Sequence, residues 1–170
     1  MRVPAFGAPP GLDGCTALLH YASARRLVTS LKNGGRRDLV AWLADEMASV
    51  IAPTSGATVT WAPTGSGRAH ARGFDQAELL ARAIARRWDL PCHALLRRVP
   101  GPAQAGRSRA QRHGGPEFRP RRVCTAEVLV VDDVVTTGAT LTAAARALRD
   151  GGATRVVAVV AARSSGEPRS

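Results

Sequence analysis

Residues 128–140, VLVVDDVVTTGAT, decide the fold. Residues 128–131 form an unbroken apolar run without the alternation of a half-exposed strand, which predicts a strand buried on both faces of a parallel sheet. The run ends in two adjacent carboxylates, Asp132 and Asp133. Three threonines, a glycine and an alanine follow, and Leu141, Ala144, Ala145 and Leu148 then recur at helical spacing up to Gly151-Gly152. Residues 155–162, RVVAVVAA, predict a second buried strand. Strand, loop, helix and strand make a βαβ unit, whose parallel strands need a crossover between them. The fold class expected is therefore α/β, a parallel β-sheet flanked by helices.

Upstream elements are weaker but consistent. Residues 57–62, ATVTWA, predict a short strand closed by Pro63, and residues 76–88 an alanine-rich helix with Leu79, Leu80, Ala83 and Ile84 on one face. Leu39, Trp42, Leu43, Met47 and Val50 continue at helical period to about residue 51. Leu18, Leu19, Leu27, Val28 and Leu31 predict a helix over residues 16–33, closed by Asn33-Gly34-Gly35. Three prolines and three glycines in residues 1–14 suggest a loose start. The expected organisation is a leader over residues 1–15, one domain over 16–163 and a tail over 164–170. Trp42, Trp61 and Trp88 are expected to pack on helix or strand faces.

Charge is unevenly distributed. The chain of 170 residues carries 24 basic and 13 acidic side chains, a net charge of +11. Every basic residue except Lys32 is arginine. Residues 97–122 hold eight of those arginines against one acid, Glu117, and so contribute +7. They also hold four prolines and four glycines, show no apolar period, and exceed the length of an ordinary connection. An anionic partner is expected: a phosphorylated small molecule, a nucleic acid or an acidic protein.

Several classes are excluded. The only lysine lies outside any G-x-x-x-x-G-K-[ST] pattern, and Gly65-Ser66-Gly67 does not complete G-x-G-x-x-G, which disfavours a P-loop NTPase and a dinucleotide-binding dehydrogenase. Cys15, Cys92 and Cys124 form no C-x-x-C pair, so neither bound zinc nor a disulfide framework is expected. No secretory pattern and no long apolar segment is present, and a cytoplasmic location without membrane insertion is expected.

The loop at residues 136–140 has the chemistry of a phosphate cradle. Unpaired N–H groups and the dipole of the following helix favour an anion there. Gly138 and Ala139 allow close backbone approach, and Thr136, Thr137 and Thr140 supply hydroxyl donors. A phosphate held in that cradle leaves Asp132 and Asp133 for sugar hydroxyls or a magnesium ion.

Residues 128–140 as a whole resemble the ribose-5-phosphate-binding signature of type I phosphoribosyltransferases. Leu31-Lys32, Arg72-Gly73-Phe74-Asp75-Gln76 with the following AELLA, Gln104, Arg109, Arg112 and Phe118 resemble the ComF/GntX branch of that superfamily. The resemblance spans about residues 17–163. It implies a phosphoribosyltransferase-like protein that binds phosphoribosyl pyrophosphate with Mg²⁺ and transfers the phosphoribosyl group to an unidentified acceptor.

On that resemblance the catalytic pair is Asp132 and Asp133, meeting the ribose hydroxyls and the metal carried by the ligand. Thr136, Thr137, Gly138, Ala139 and Thr140 hold the 5-phosphate. Residues 63–68 hold pyrophosphate through Thr64, Gly65 and Arg68, with Arg72 beside them. Residues 97–122, with Arg107, Arg109 and Arg112, form a flexible loop closing over substrate. The branch is associated with DNA uptake and natural competence, so the alternative is a non-catalytic accessory that binds single-stranded DNA beside a helicase-like ATPase, or a regulator that keeps the pocket as a sensor. Asp75 stands where the branch usually has asparagine; either residue can cap the helix that follows.

Overall fold

The computed structural model describes residues 7–20, 37–64, 74–100 and 115–164. Its elements in chain order are β1 (Gly14–His20), α1 (Arg37–Ala48), β2 (Thr58–Trp61), α2 (Gln76–Trp88), β3 (Leu96–Arg98), β4 (Phe118–Pro120), β5 (Glu127–Val135), α3 (Ala139–Asp150) and β6 (Arg155–Arg163). Four strands form one parallel sheet in the order β1-β6-β5-β2. The expected α/β fold with a parallel sheet is therefore present.

The uninterrupted apolar runs explain why β5 and β6 lie at the centre. Side chains alternate across a strand, so a strand covered on both faces must be apolar at every position. Val128 and Val130 join Leu141, Ala144 and Leu148 of α3 in one core layer. Leu129 and Val131 join Leu43 and Met47 of α1, and Leu80 and Ile84 of α2, in the other. The result is a three-layer sandwich with α3 on one side and α1 and α2 on the other.

Asp75 caps α2, accepting the Ala77 N–H at 3.1 Å, and Asp89 ends it in the left-handed region at φ 52°. In α3 the cap is Gly138, at φ 78°. Glycine adopts that conformation without strain, and its missing Cβ also makes room: a Cβ there would lie 2.9 Å from Pro9 Cγ.

Three expectations are corrected. Residues 14–20 are a strand, not the opening of a helix over 16–33; residues 21–36 lie outside the described residues. Ala17 and Leu18 enter opposite core layers, and the run pairs with β6 in register from Gly14↔Val157 to His20↔Arg163. A short apolar run fits either period, and here the open flank of β6 selected the strand.

Gly14 and Cys15, expected in a loose leader over residues 1–15, are the first residues of β1. The residues before them are tied down as well. The Asp13 carboxylate accepts from Val156 N–H and from Arg149, each at 2.7 Å, and Arg149 also donates to the Gly11 carbonyl at 2.9 Å.

The segment 97–122 is not devoid of structure at its ends. β3 and β4 pair antiparallel from Leu96↔Pro120 to Arg98↔Phe118. Phe118 anchors the pair in the α3 core layer. Residues 101–114 lie outside the described residues. Among the tryptophans, Trp61 is buried as expected, whereas Trp42 on α1 is 47% exposed.

Candidate functional site

All four sheet strands run the same way, so their carboxyl ends share one rim. β5 carries Asp132 and Asp133 to that rim without ending at them. The strand continues to Val135, pairing Asp132 with Val160 and Val134 with Ala162. This corrects the expectation that the strand stops at the acids. The reason is local: β6 keeps offering partners up to Arg163, so the ladder extends past the polar pair.

The alternation along β5 puts Asp132 on the α3 side and Asp133 on the α2 side. Asp132 is buried and Asp133 half-buried. The Asp132 carboxylate accepts a hydrogen bond from the Asp133 N–H at 2.8 Å. Burial, and after it the adjacent Asp133 carboxylate, hold Asp132 well above the ordinary carboxylate range, with Asp75 adding to the effect. Two adjacent carboxyl groups at the rim favour a cation or hydroxyl donors beside them.

Beyond the acids the chain turns through residues 136–138 into α3. Thr136 and Thr137 are exposed, and Thr140 is half-buried in the first turn. The Thr137 hydroxyl faces the Ala139 N–H at 3.4 Å. The Gly138 carbonyl accepts the first helical bond from Thr142 at 2.8 Å. Loop, glycine cap and helix start thus adjoin the acid pair, as the residue types led us to expect.

Two contacts to this loop were not legible in the sequence. Pro9 packs on Gly138, and a Cβ at Gly115 would lie 3.0 Å from Ala139 Cβ and 3.1 Å from its carbonyl oxygen. The far end of the arginine-rich segment therefore reaches the first residue of α3. No sequence signal marks either contact, since both depend on glycines whose value is the side chain they lack.

On the neighbouring strand, β2 pairs with β5 up to Trp61↔Val131 and leads to Thr64. The Thr64 N–H donates to Asp75 Oδ2 at 2.8 Å and its hydroxyl lies 3.2 Å from Oδ1. With the Ala77 N–H, the Asp75 carboxylate accepts three hydrogen bonds. It therefore does more than the expected capping: it fastens the start of the loop after β2 to the start of α2. Gly65, Arg68, Arg72, Arg107, Arg109 and Arg112 lie outside the described residues. Of the flexible-loop arginines that are described, Arg97, Arg98, Arg119, Arg121 and Arg122 are exposed. Arg98 stacks 5.9 Å from the Phe118 ring, and Arg119 lies 3.5 Å from Glu117.

Among the described residues no three acids, histidines or cysteines converge to cage a metal. Two adjacent carboxylates suit Mg²⁺ bound mainly through ligand oxygens, which is how that ion is commonly held. A cavity of about 210 Å³ between Arg82, Ala85, Arg86, Asp89, Leu90 and Cys92 opens toward the far end of α2 and contains none of the site residues expected from sequence. No described helix is long and apolar enough to cross a membrane.

The sequence model of the phosphoribosyl transferase domain matches residues 77–170, more than half of the chain. With the parallel sheet, the acid pair and the glycine-capped helix start, this defines the class: the chain belongs to the phosphoribosyl transferase domain family, a member of the type I superfamily. Among solved structures it is similar to a glutamine phosphoribosylpyrophosphate amidotransferase from B. subtilis complexed with ADP and GMP. That match has 20% identity and a TM-score of 0.54, and it covers 78% of this chain and 30% of the other. An allosteric regulatory enzyme of purine biosynthesis matches at 20% identity and TM-score 0.49, covering 71% and 25%. The chain spans less than a third of the length of these two proteins. A hypoxanthine phosphoribosyltransferase from Trypanosoma cruzi, complexed with the product IMP, matches at 17% identity and TM-score 0.42, covering 73% and 63%. No curated protein matches the chain by sequence.

Proposed function

We propose that the chain binds phosphoribosyl pyrophosphate together with Mg²⁺ and transfers the phosphoribosyl group to an acceptor, as a ComF/GntX-like member of its superfamily. The observation that carries this is β5, which places the acid pair, Asp132 buried and Asp133 half-buried, one short turn before the glycine-capped start of α3. Residues 136–140 take the 5-phosphate at the helix start, where N–H groups and the helix dipole favour an anion. Asp132 and Asp133 accept the ribose hydroxyls. Thr64, Gly65, Arg68 and Arg72 take the pyrophosphate.

Displacing pyrophosphate from C1 leaves positive charge on the ring and negative charge on the leaving group. The carboxylates suit the first and the arginines the second. Mg²⁺, when bound, neutralises charge on the pyrophosphate oxygens. Arg107, Arg109 and Arg112, on the segment that reaches Ala139, close over the ligand and exclude water. The domain that does this work extends over residues 16–163 together with the first residues of β1 and Gly11 and Asp13, which are tied to Arg149 and Val156.

Isothermal titration with phosphoribosyl pyrophosphate and Mg²⁺ tests the binding. A titratable complex that is lost in Asp132→Asn/Asp133→Asn supports the reading; no heat in the wild type, or undiminished binding in the double variant, refutes it. Pyrophosphate release over a panel of bases then identifies the acceptor and separates an enzyme from a sensor.

A second reading is supported by the five exposed arginines on and beside the β3–β4 pair. In it the same fold serves as a cytoplasmic competence accessory that binds single-stranded DNA and works with a helicase-like ATPase. Such binding weakens steeply with salt. Arg107→Ala/Arg109→Ala/Arg112→Ala flattens that salt slope if the segment is the track, and leaves it unchanged if it is not.

A further inference from the structure

Gln76 occupies the first position of α2 and is 7% exposed. Among the described residues its Nε2 is the buried side-chain polar atom without a hydrogen-bond partner. Its sequence neighbour Asp75 is fully engaged, with Thr64 on one side and Ala77 on the other. An unpaired buried donor costs stability, and an apolar side chain of the same length would avoid that cost. The amide is therefore either a defect or a group waiting for an acceptor.

Its position favours the second. β2 and β5 are neighbours, and each leads at its carboxyl end to a helix start: α2 after β2 and α3 after β5. Asp132 and Asp133 lie one and two residues beyond Val131, which pairs with Trp61. Along the rim the order is then a helix start with hydroxyls, a pair of hydrogen-bond acceptors, and a second helix start with a spare donor. That pattern complements a ligand with an anionic group at each end and hydroxyls between them. The diphosphate end supplies anionic acceptor oxygens, which an amide N–H at a helix N-terminus suits better than it suits a hydroxyl already donating to the carboxylates.

We propose that Gln76 contacts the ligand directly, its side-chain N–H donating to an oxygen of the diphosphate end. This rests on the phosphoribosyl pyrophosphate reading of the site. Gln76→Met keeps the length and removes the donor, and Gln76→Glu replaces the donor with an anionic acceptor. Both are to be titrated with phosphoribosyl pyrophosphate, inorganic pyrophosphate and ribose 5-phosphate, each with Mg²⁺, beside thermal melts of the ligand-free chains.

The expected signature is split. Ligand-free Gln76→Met melts above wild type. It binds phosphoribosyl pyrophosphate and pyrophosphate about tenfold more weakly and ribose 5-phosphate equally well. Gln76→Glu loses more of the pyrophosphate affinity. Unchanged pyrophosphate affinity, or an equal loss for ribose 5-phosphate, overturns the assignment. A Gln76→Met chain that melts below wild type also overturns it, because the amide is then satisfied within the fold. If wild type binds none of the three ligands, the parent reading falls and this one with it. If wild type binds and Gln76→Met binds as well, only the role of Gln76 falls.

Discussion

Substituting Gly138 by alanine should be costly for two separable reasons. The residue sits at φ 78°, where a Cβ collides with the neighbouring carbonyl, a cost of about 1–2 kcal/mol. The new methyl would also stand 2.9 Å from Pro9 Cγ and 3.1 Å from Pro9 Cβ, well inside the usual carbon–carbon contact. Overpacking of that kind costs about 1–3 kcal/mol. The sum, roughly 2–5 kcal/mol, is a large share of the ~5–15 kcal/mol that holds a domain together. For a chain of this size it lowers the melting temperature by roughly 5–20 °C.

Urea titration and thermal melts of Gly138→Ala, Pro9→Gly and the double variant form a cycle that separates the two parts. Removing the proline ring relieves the contact and leaves the backbone strain. In the Pro9→Gly background, Gly138→Ala should therefore cost only the left-handed share, with a coupling of about 1–3 kcal/mol. Strictly additive variants would refute the claim that Pro9 seats on this glycine. An unperturbed Gly138→Ala would refute the geometry of the loop altogether.

Asp75→Asn, the residue usual in the resembling branch, leaves one acceptor oxygen for three donors; it should cost about 1–2 kcal/mol in urea unfolding. Asp75→Ser, which can cap α2 but not also hold Thr64, should cost a similar amount. Asp132→Asn should stabilise the ligand-free protein at neutral pH. The wild-type carboxyl titrates higher folded than unfolded, so the native state binds more protons above pH 3.8 and stability falls as pH rises. The advantage of the variant should therefore shrink as pH drops toward 3.8, as followed by melts across pH. Burial pushes the Cys15 thiol up to about 11 and raises Cys92 and Cys124 as well. Iodoacetamide at pH 8 should label native Cys15 about a hundredfold more slowly than the urea-unfolded chain, as read by mass spectrometry.

What the sequence disclosed follows from where each signal is stored. The run through Val131 and the helix after Gly138 are local patterns, so β5, α3 and β6 were legible together with the acid pair. The capping role of Asp75 was legible because a capping residue acts on its own helix. Its hold on Thr64 was not, because that bond joins residues eleven positions apart. The strand at Leu18 was misread since a helix and a strand accept the same short apolar run, and only its place beside β6 decides between them. Arg98 and Phe118 pair across a long arginine-rich segment with three residues on each side, too few for any period. Gln76 opens α2, where a polar residue is ordinarily exposed, and nothing in its own type announces that it is buried. The surface position of Trp42 was missed for the opposite reason, since helical spacing marks a face without saying what covers it.

The continuation of β5 past the acids sets how that pair can meet any partner. A carboxylate on a loop must be immobilised when its partner arrives, and the complex is weakened by the entropy lost. Here Asp132 is hydrogen-bonded to its neighbour and its backbone is laced to Val160, so most of that ordering is completed during folding. The acids form a fixed ruler at the rim of the sheet. Discrimination between ligands then falls to the groups on either side of it, because the ruler itself cannot adapt without shearing two central strands.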